Sequence, residues 1–114
     1  MINKNLSQKK CIPCEGNVKS LNKKQANIYL KKLSKEWLLT DDNKKIYKVF
    51  KAKNYYEITS LINIIIWISH REDHHPEINF KYSEAVVTYY TSAINGLSEN
   101  DFICAAKIDK YLNF

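Results

Sequence analysis

The chain is poor in the residues that break or bend a backbone, with two glycines and two prolines among 114 residues. Combined with an ordinary apolar fraction of 45%, this argues against disorder. The length suits one domain with a single modest core. No Gly-rich phosphate loop is present, and HExxH, a GxSxG elbow and a Cys–His pair near a helix start are missing too. Arginine is almost absent, Arg71 standing alone, so the net charge of +6 rests on scattered lysines. Base readout and bidentate phosphate contacts favour arginine. The charge therefore reads as general solvation with weak attraction of anionic ligands, not as a nucleic-acid face.

Long apolar runs are missing as well. The longest, over residues 61–68, is interrupted by Asn63 and is too short to span a bilayer. The N-terminal stretch is polar and lysine-bearing, without the apolar core of a signal peptide. A cytoplasmic protein with no membrane partner is expected. The few cysteines, Cys11, Cys14 and Cys104, suit a reducing compartment better than a disulfide framework. Cys11-Ile12-Pro13-Cys14 has the spacing of half a zinc site. No second CxxC exists to complete four ligands, so two thiols in an N-terminal loop is the favoured reading.

What the chain does contain is periodicity. Residues 1–20 read as an irregular arm, and residues 21–114 as a single domain. Asn22 with Gln25 marks a helix start, and Ala26, Leu30 and Leu33 follow at helical spacing. Residues 37–40 form a short strand, 41–43 a turn, and 44–51 a second strand with Ile46, Lys48 and Phe50 on one side. A second helix is expected over about 54–73, with Ile58, Leu61, Ile62, Ile65 and Ile68 as one apolar stripe. Ile64, Ile66 and Trp67 widen that stripe beyond what one sheet can cover, which points to packing on another subunit. Ile78, Phe80 and Tyr82 alternate in a third strand. After a turn at Ser83-Glu84, residues 85–91 form a fourth. Asn95-Gly96 is a turn, and Ser98 with Asp101 opens a last helix burying Phe102, Ala105, Ala106, Ile108 and Leu112. The order helix-strand-strand-helix-strand-strand-helix predicts an α+β fold, a four-stranded antiparallel sheet with helices packed on one face.

The candidate chemistry gathers at Asp73-His74-His75-Pro76-Glu77. Histidine changes charge nearest neutral pH, so paired imidazoles suit proton transfer, metal binding or anion contact. Pro76 biases the residue before it toward extended backbone, so the second helix must stop near His74. His70 and His74, four apart, could share a helix face and hold a metal with His75, although His75 lies past the helix end and need not converge with them. Glu72 and Asp101 complete the acid–base candidates. For Asp101, spacing cannot separate helix capping from catalysis.

Asp-His-His-Pro-Glu, the aromatic Tyr82, Gly96-Leu97-Ser98 and Asn100-Asp101-Phe102-Ile103, in this order, resemble the pterin-4a-carbinolamine dehydratase family. Cys11-Ile12-Pro13-Cys14-Glu15-Gly16 resembles the arm of many bacterial members, and the likeness spans roughly residues 11–112. It implies dehydration of 4a-hydroxytetrahydropterin to quinonoid dihydropterin, recycling the cofactor of aromatic amino-acid hydroxylases, with no metal or organic cofactor. It implies a homodimer or homotetramer built by sheet pairing and by the long helix. It further implies catalytic roles for His74, His75 and Asp101, with His70, Asp73, Pro76 and Ser92 around the substrate. One position departs from the pattern. The family's third histidine falls on Ser92, and His70 falls where an acidic residue is common. The alternative on the same scaffold is a non-catalytic pterin-binding, interaction or assembly protein.

Overall fold

Asn22 and Asn54 start the first two helices in the same way. Each accepts a hydrogen bond on its side-chain oxygen from the backbone N–H three residues on, Gln25 and Glu57, at 2.9 Å in both cases. This satisfies one of the donors that a helix N-terminus leaves open. In the computed structural model, which describes residues 5–13 and 18–112, these helices are α1 (Lys23–Leu30) and α2 (Tyr55–Glu72). The last helix, α3 (Glu99–Tyr111), starts at Ser98 as its spacing predicts. Leu33 reaches the core from the turn behind α1, not from the helix itself.

Asp73 ends α2 in a left-handed conformation, φ 51°. Asparagine and aspartate tolerate that region better than most residues. The predicted stop therefore falls one residue before His74. The turn also breaks the expected helical spacing of His70 and His74, because His74 no longer lies on the helix.

The strands β1 (Leu38–Leu39), β2 (Ile46–Lys51), β3 (Glu77–Lys81) and β4 (Glu84–Tyr89) form one antiparallel sheet in the order β1-β2-β4-β3. The turn between β3 and β4 sits at Tyr82-Ser83, one residue earlier than the sequence pattern suggests. Ile46, Lys48 and Phe50 of β2 lie opposite Tyr89, Val87 and Ala85 of β4, and all six are buried. They meet the α2 stripe (Ile58, Leu61, Ile65, Ile68) and Phe102, Ala105 and Ile108 of α3 in one core. The α+β architecture expected from the pattern is the one observed. Among the described residues no helix is long and apolar enough to cross a membrane.

The described part of the arm is docked, not loose. Leu6 is buried within a single 3-10 turn, Leu6–Gln8. Lys107 Nζ donates to the Ser7 carbonyl and Lys9 Nζ pairs with Glu99 Oε2, each at 2.9 Å. These contacts lay residues 5–13 along α3 and carry them toward the start of that helix. Cys14 falls outside the described residues.

Candidate active site

The first turn of α3 brings Asp101 under His74. Asp101 is fully buried, and its two carboxylate oxygens do different work. Oδ2 accepts the backbone N–H of Ser98 at 3.0 Å, which caps the helix, and the hydroxyl of Thr91 at 2.8 Å. Oδ1 lies 2.6 Å from His74 Nε2. Capping and site chemistry, which spacing could not separate, are thus shared between the oxygens of one carboxylate. Thr91 spends its hydroxyl hydrogen on Asp101, so Ser98 Oγ, 2.8 Å away, is the donor to Thr91. Ser98 thus donates to Thr91 and Thr91 to one oxygen of Asp101, whose other oxygen meets His74. A buried carboxylate is stable only when its lone pairs are met in this way.

The loop carrying Thr91 is closed by a paired bridge. Thr91 N–H donates to the Gly96 carbonyl at 2.8 Å, and Gly96 N–H returns to the Thr91 carbonyl at 3.3 Å. Asn95, not Gly96, takes the left-handed conformation there, φ 51°. Gly96 is required for another reason: a Cβ on it would meet the Cβ of Ser20 at 2.8 Å.

His74 is nearly buried, and its ring lies almost parallel to that of Tyr89, with centroids 5.8 Å apart and an interplanar angle of 7°. Tyr89 is itself fully buried and packs on Trp37. Burial raises the Tyr89 phenol well above its usual range, so it remains a neutral platform. Its hydroxyl has no hydrogen-bond partner among the described residues.

Above this pair opens a cleft of about 520 Å³, within the range of small-molecule pockets. Asp73, His74, His75 and Ser92 all line it. Ser92 is exposed at the start of the 3-10 turn Ser92–Ile94. His70 and Pro76 instead line a separate shallow groove beside α2, which His75 also borders. The fold therefore brings together His74, His75, Asp73, Asp101 and Ser92, and leaves His70 on the far side of the Asp73 turn. Sequence reasoning missed Thr91, Ser98 and Tyr89 as supports. Their roles depend on contacts with residues brought close by folding, although β4 periodicity does point Tyr89 inward.

Two thiols meet at the cleft's edge. Cys11 Sγ lies 3.6 Å from the buried Cys104 Sγ. The hydrogen bond with Cys11, with burial adding to it, pushes the Cys104 thiol far above the ordinary range. Cys104 is thereby kept protonated and poorly nucleophilic.

Comparison with known proteins identifies the family. The family model described as pterin 4 alpha carbinolamine dehydratase matches residues 19–111. A protein of Nitrosomonas eutropha is 49% identical over 107 residues, covering 94% of this chain and 93% of its own. One of Legionella pneumophila is 46% identical over 107 residues, covering 94% of this chain and 95% of its own. Both carry the name pterin-4-alpha-carbinolamine dehydratase as a provisional designation. A crystal structure titled as a transcriptional coactivator/pterin dehydratase from Brucella melitensis superposes with a TM-score of 0.75 at 27% identity, covering 80% of this chain and 96% of that one. A pterin dehydratase-like protein identified as a RuBisCO assembly factor shares the fold alone, with a TM-score of 0.58 at 20% identity over 68% of this chain and 89% of its own. The chain belongs to the pterin-4-alpha-carbinolamine dehydratase family.

Proposed function

We propose that the protein dehydrates 4a-hydroxytetrahydropterin to quinonoid dihydropterin in the cytoplasm, recycling the cofactor of aromatic amino-acid hydroxylases. The observation that carries this reading is the buried Asp101 carboxylate set 2.6 Å from His74 Nε2 at the floor of an open cleft. Dehydration requires a proton delivered to the departing 4a-hydroxyl and one taken from the ring nitrogen N5, so that C4a=N5 forms and water leaves. With Asp101 accepting from Nε2–H, the His74 tautomer is set and Nδ1 is the nitrogen left to accept a proton. His74 is thus the base. His75, exposed at the cleft wall, is the acid that meets the hydroxyl.

The test is turnover of the purified protein with 4a-hydroxytetrahydropterin at neutral pH. Wild type should outpace the solvent reaction, and His75→Ala should lower kcat by about 10²–10⁴-fold, the usual scale for a lost acid–base group. Wild-type protein no faster than solvent would overturn the enzyme reading. It would favour the alternative, a pterin-binding or assembly protein, for which Ser92 in place of the family's histidine is the supporting observation.

Ser92 carries its own prediction. It lines the cleft, so Ser92→His places an imidazole within the site and should raise kcat by about tenfold or more. His70 lies on the neighbouring groove, so His70→Ala should cost far less than His74→Ala. A His70→Ala loss matching that of His74→Ala would mean that the site extends around the Asp73 turn.

Self-association belongs to the same reading. Ile66 and Trp67 of α2 are about half exposed, as is Phe80 on the edge strand β3. Exposed apolar side chains and an open strand edge favour pairing between copies. Sedimentation at micromolar concentration should give a dimer or tetramer. Ile64→Glu, which places a carboxylate at a half-buried position of α2, should dissociate or unfold it. A stable monomer in either experiment would return these residues to a single-chain role.

A further inference from the structure

Residues 10–13 lie outside the span matched by the family model, residues 19–111, yet they form part of the wall of the cleft that holds His74 and His75. Ile12 is the informative member. It is 71% exposed, an isoleucine left largely in water on a chain arm. Such a residue would ordinarily be free to move. Here its peptide is gripped from both sides by one side-chain amide. Ile12 N–H donates to Asn100 Oδ1 at 3.0 Å, and Asn100 Nδ2 donates to the Ile12 carbonyl at 2.6 Å. Asn100 thereby plays the part of a strand partner for a single residue.

The neighbouring position is fastened as well. Cys11 N–H donates to Glu72 Oε1 at 2.9 Å, Lys107 Nζ lies 3.7 Å from Glu72 Oε2, and the Cys11 thiol rests against Cys104 and the Asn100 carbonyl. Asn100 is buried and immediately precedes Asp101 in α3. The residue that grips the arm and the residue that sets His74 are therefore neighbours on one helical turn. An apolar residue whose backbone is held in place on the wall of a cleft is a preorganised contact for a flat ring, because the backbone part of the ordering cost is met before the ligand arrives.

We infer that Ile12 is a substrate-contacting residue, supplying an apolar wall of the ring-binding cleft, and that Asn100 is its positioning residue. This rests on the pterin reading above. Neither residue takes part in proton transfer, so both should act on binding and leave the chemical step alone.

The experiment compares wild type, Ile12→Ala, Asn100→Ala and the double variant. It measures kcat and KM for dehydration and, independently of turnover, the Kd of 7,8-dihydrobiopterin by fluorescence titration. Ile12→Ala should raise KM and Kd by about tenfold with kcat nearly unchanged, the scale of a few lost apolar contacts in a pocket. Ile12 is exposed, so this variant should fold. Asn100→Ala should have a similar effect, and the double variant should be little worse than either single one, because one residue acts through the other. An unchanged Kd in Ile12→Ala would overturn the contact. Additive losses in the double variant would overturn the positioning role of Asn100. Wild type that binds dihydrobiopterin through Ile12 without turning substrate over would leave this inference standing and remove the dehydratase reading. Wild type that binds no pterin overturns both.

Discussion

His74→Ala is expected to lower kcat for pterin dehydration by about 10²–10⁴-fold, with a much smaller change in KM. On the proposed mechanism this removes the base and keeps the cleft. Asp101→Asn should reach the same range by a different route. The buried carboxylate accepts from His74, Thr91 and the Ser98 backbone together. An asparagine offers one acceptor oxygen and one donor amide. If the oxygen keeps the Ser98 cap, the amide faces His74 and demands the opposite tautomer, leaving Nδ1 protonated and unable to take a proton.

The decisive measurement is the double variant. On the proposed mechanism Asp101 acts on substrate only through His74, so His74→Ala with Asp101→Asn should be scarcely slower than His74→Ala alone. Losses that multiply would mean that Asp101 has a separate path to the substrate. Asp101→Asn also weakens a helix cap and a buried network, so turnover must be measured well below the melting transition of each variant. A His74→Ala protein within about threefold of wild type would move the base elsewhere in the cleft, His75 being the remaining imidazole on its wall.

The sequence shows more of the frame than of the site, for a physical reason. Asn22 is legible as a cap because a cap is satisfied within three residues of itself. The face of β2 is legible because alternation carries Ile46, Lys48 and Phe50 to one side whatever lies there. The site obeys no such local rule. His74 meets Asp101 across 27 positions, and Asn100 meets Ile12 across 88. Periodicity says nothing about such pairs, and only the resemblance to a known family links His74 with Asp101. The His70–His74 spacing misleads because it assumes a helix continuing through His74. Asp73 adopts the left-handed conformation instead, and a single such residue redirects everything after it. The arm reads as irregular because it has no repeat of its own, and its course is set by what α3 offers it.

Lys48 is the sharpest case of an unreadable partner. Alternation correctly turns it inward, but a lysine on an apolar face is costly unless it is paired. The partner is Asp109, 61 positions away on α3, at 3.4 Å. Asp109 Oδ1 also accepts Trp37 Nε1–H at 2.9 Å, and Oδ2 accepts the Ser34 N–H at 2.9 Å. One carboxylate thus ties the β2 face, the core tryptophan and the turn after α1 to the last helix. Asp109→Ala should destabilise the fold by about 2–4 kcal/mol, since it takes from the Lys48 ammonium its buried carboxylate and leaves an indole and a backbone donor without their acceptor. Glu36 Oε1, 3.6 Å from Lys48 Nζ, softens the loss only slightly because its side chain is 72% exposed. Asp109→Asn keeps an acceptor oxygen but not the charge, and should fall between wild type and alanine. Lys48→Met combined with Asp109→Ala should recover part of the stability, because no buried charge is then left unpaired. Urea unfolding measures all of these as shifts in midpoint at constant slope. An Asp109→Ala loss below about 0.5 kcal/mol, the scale of an ordinary surface change, would mean that water reaches Lys48 and that this carboxylate is not what holds β2 to α3.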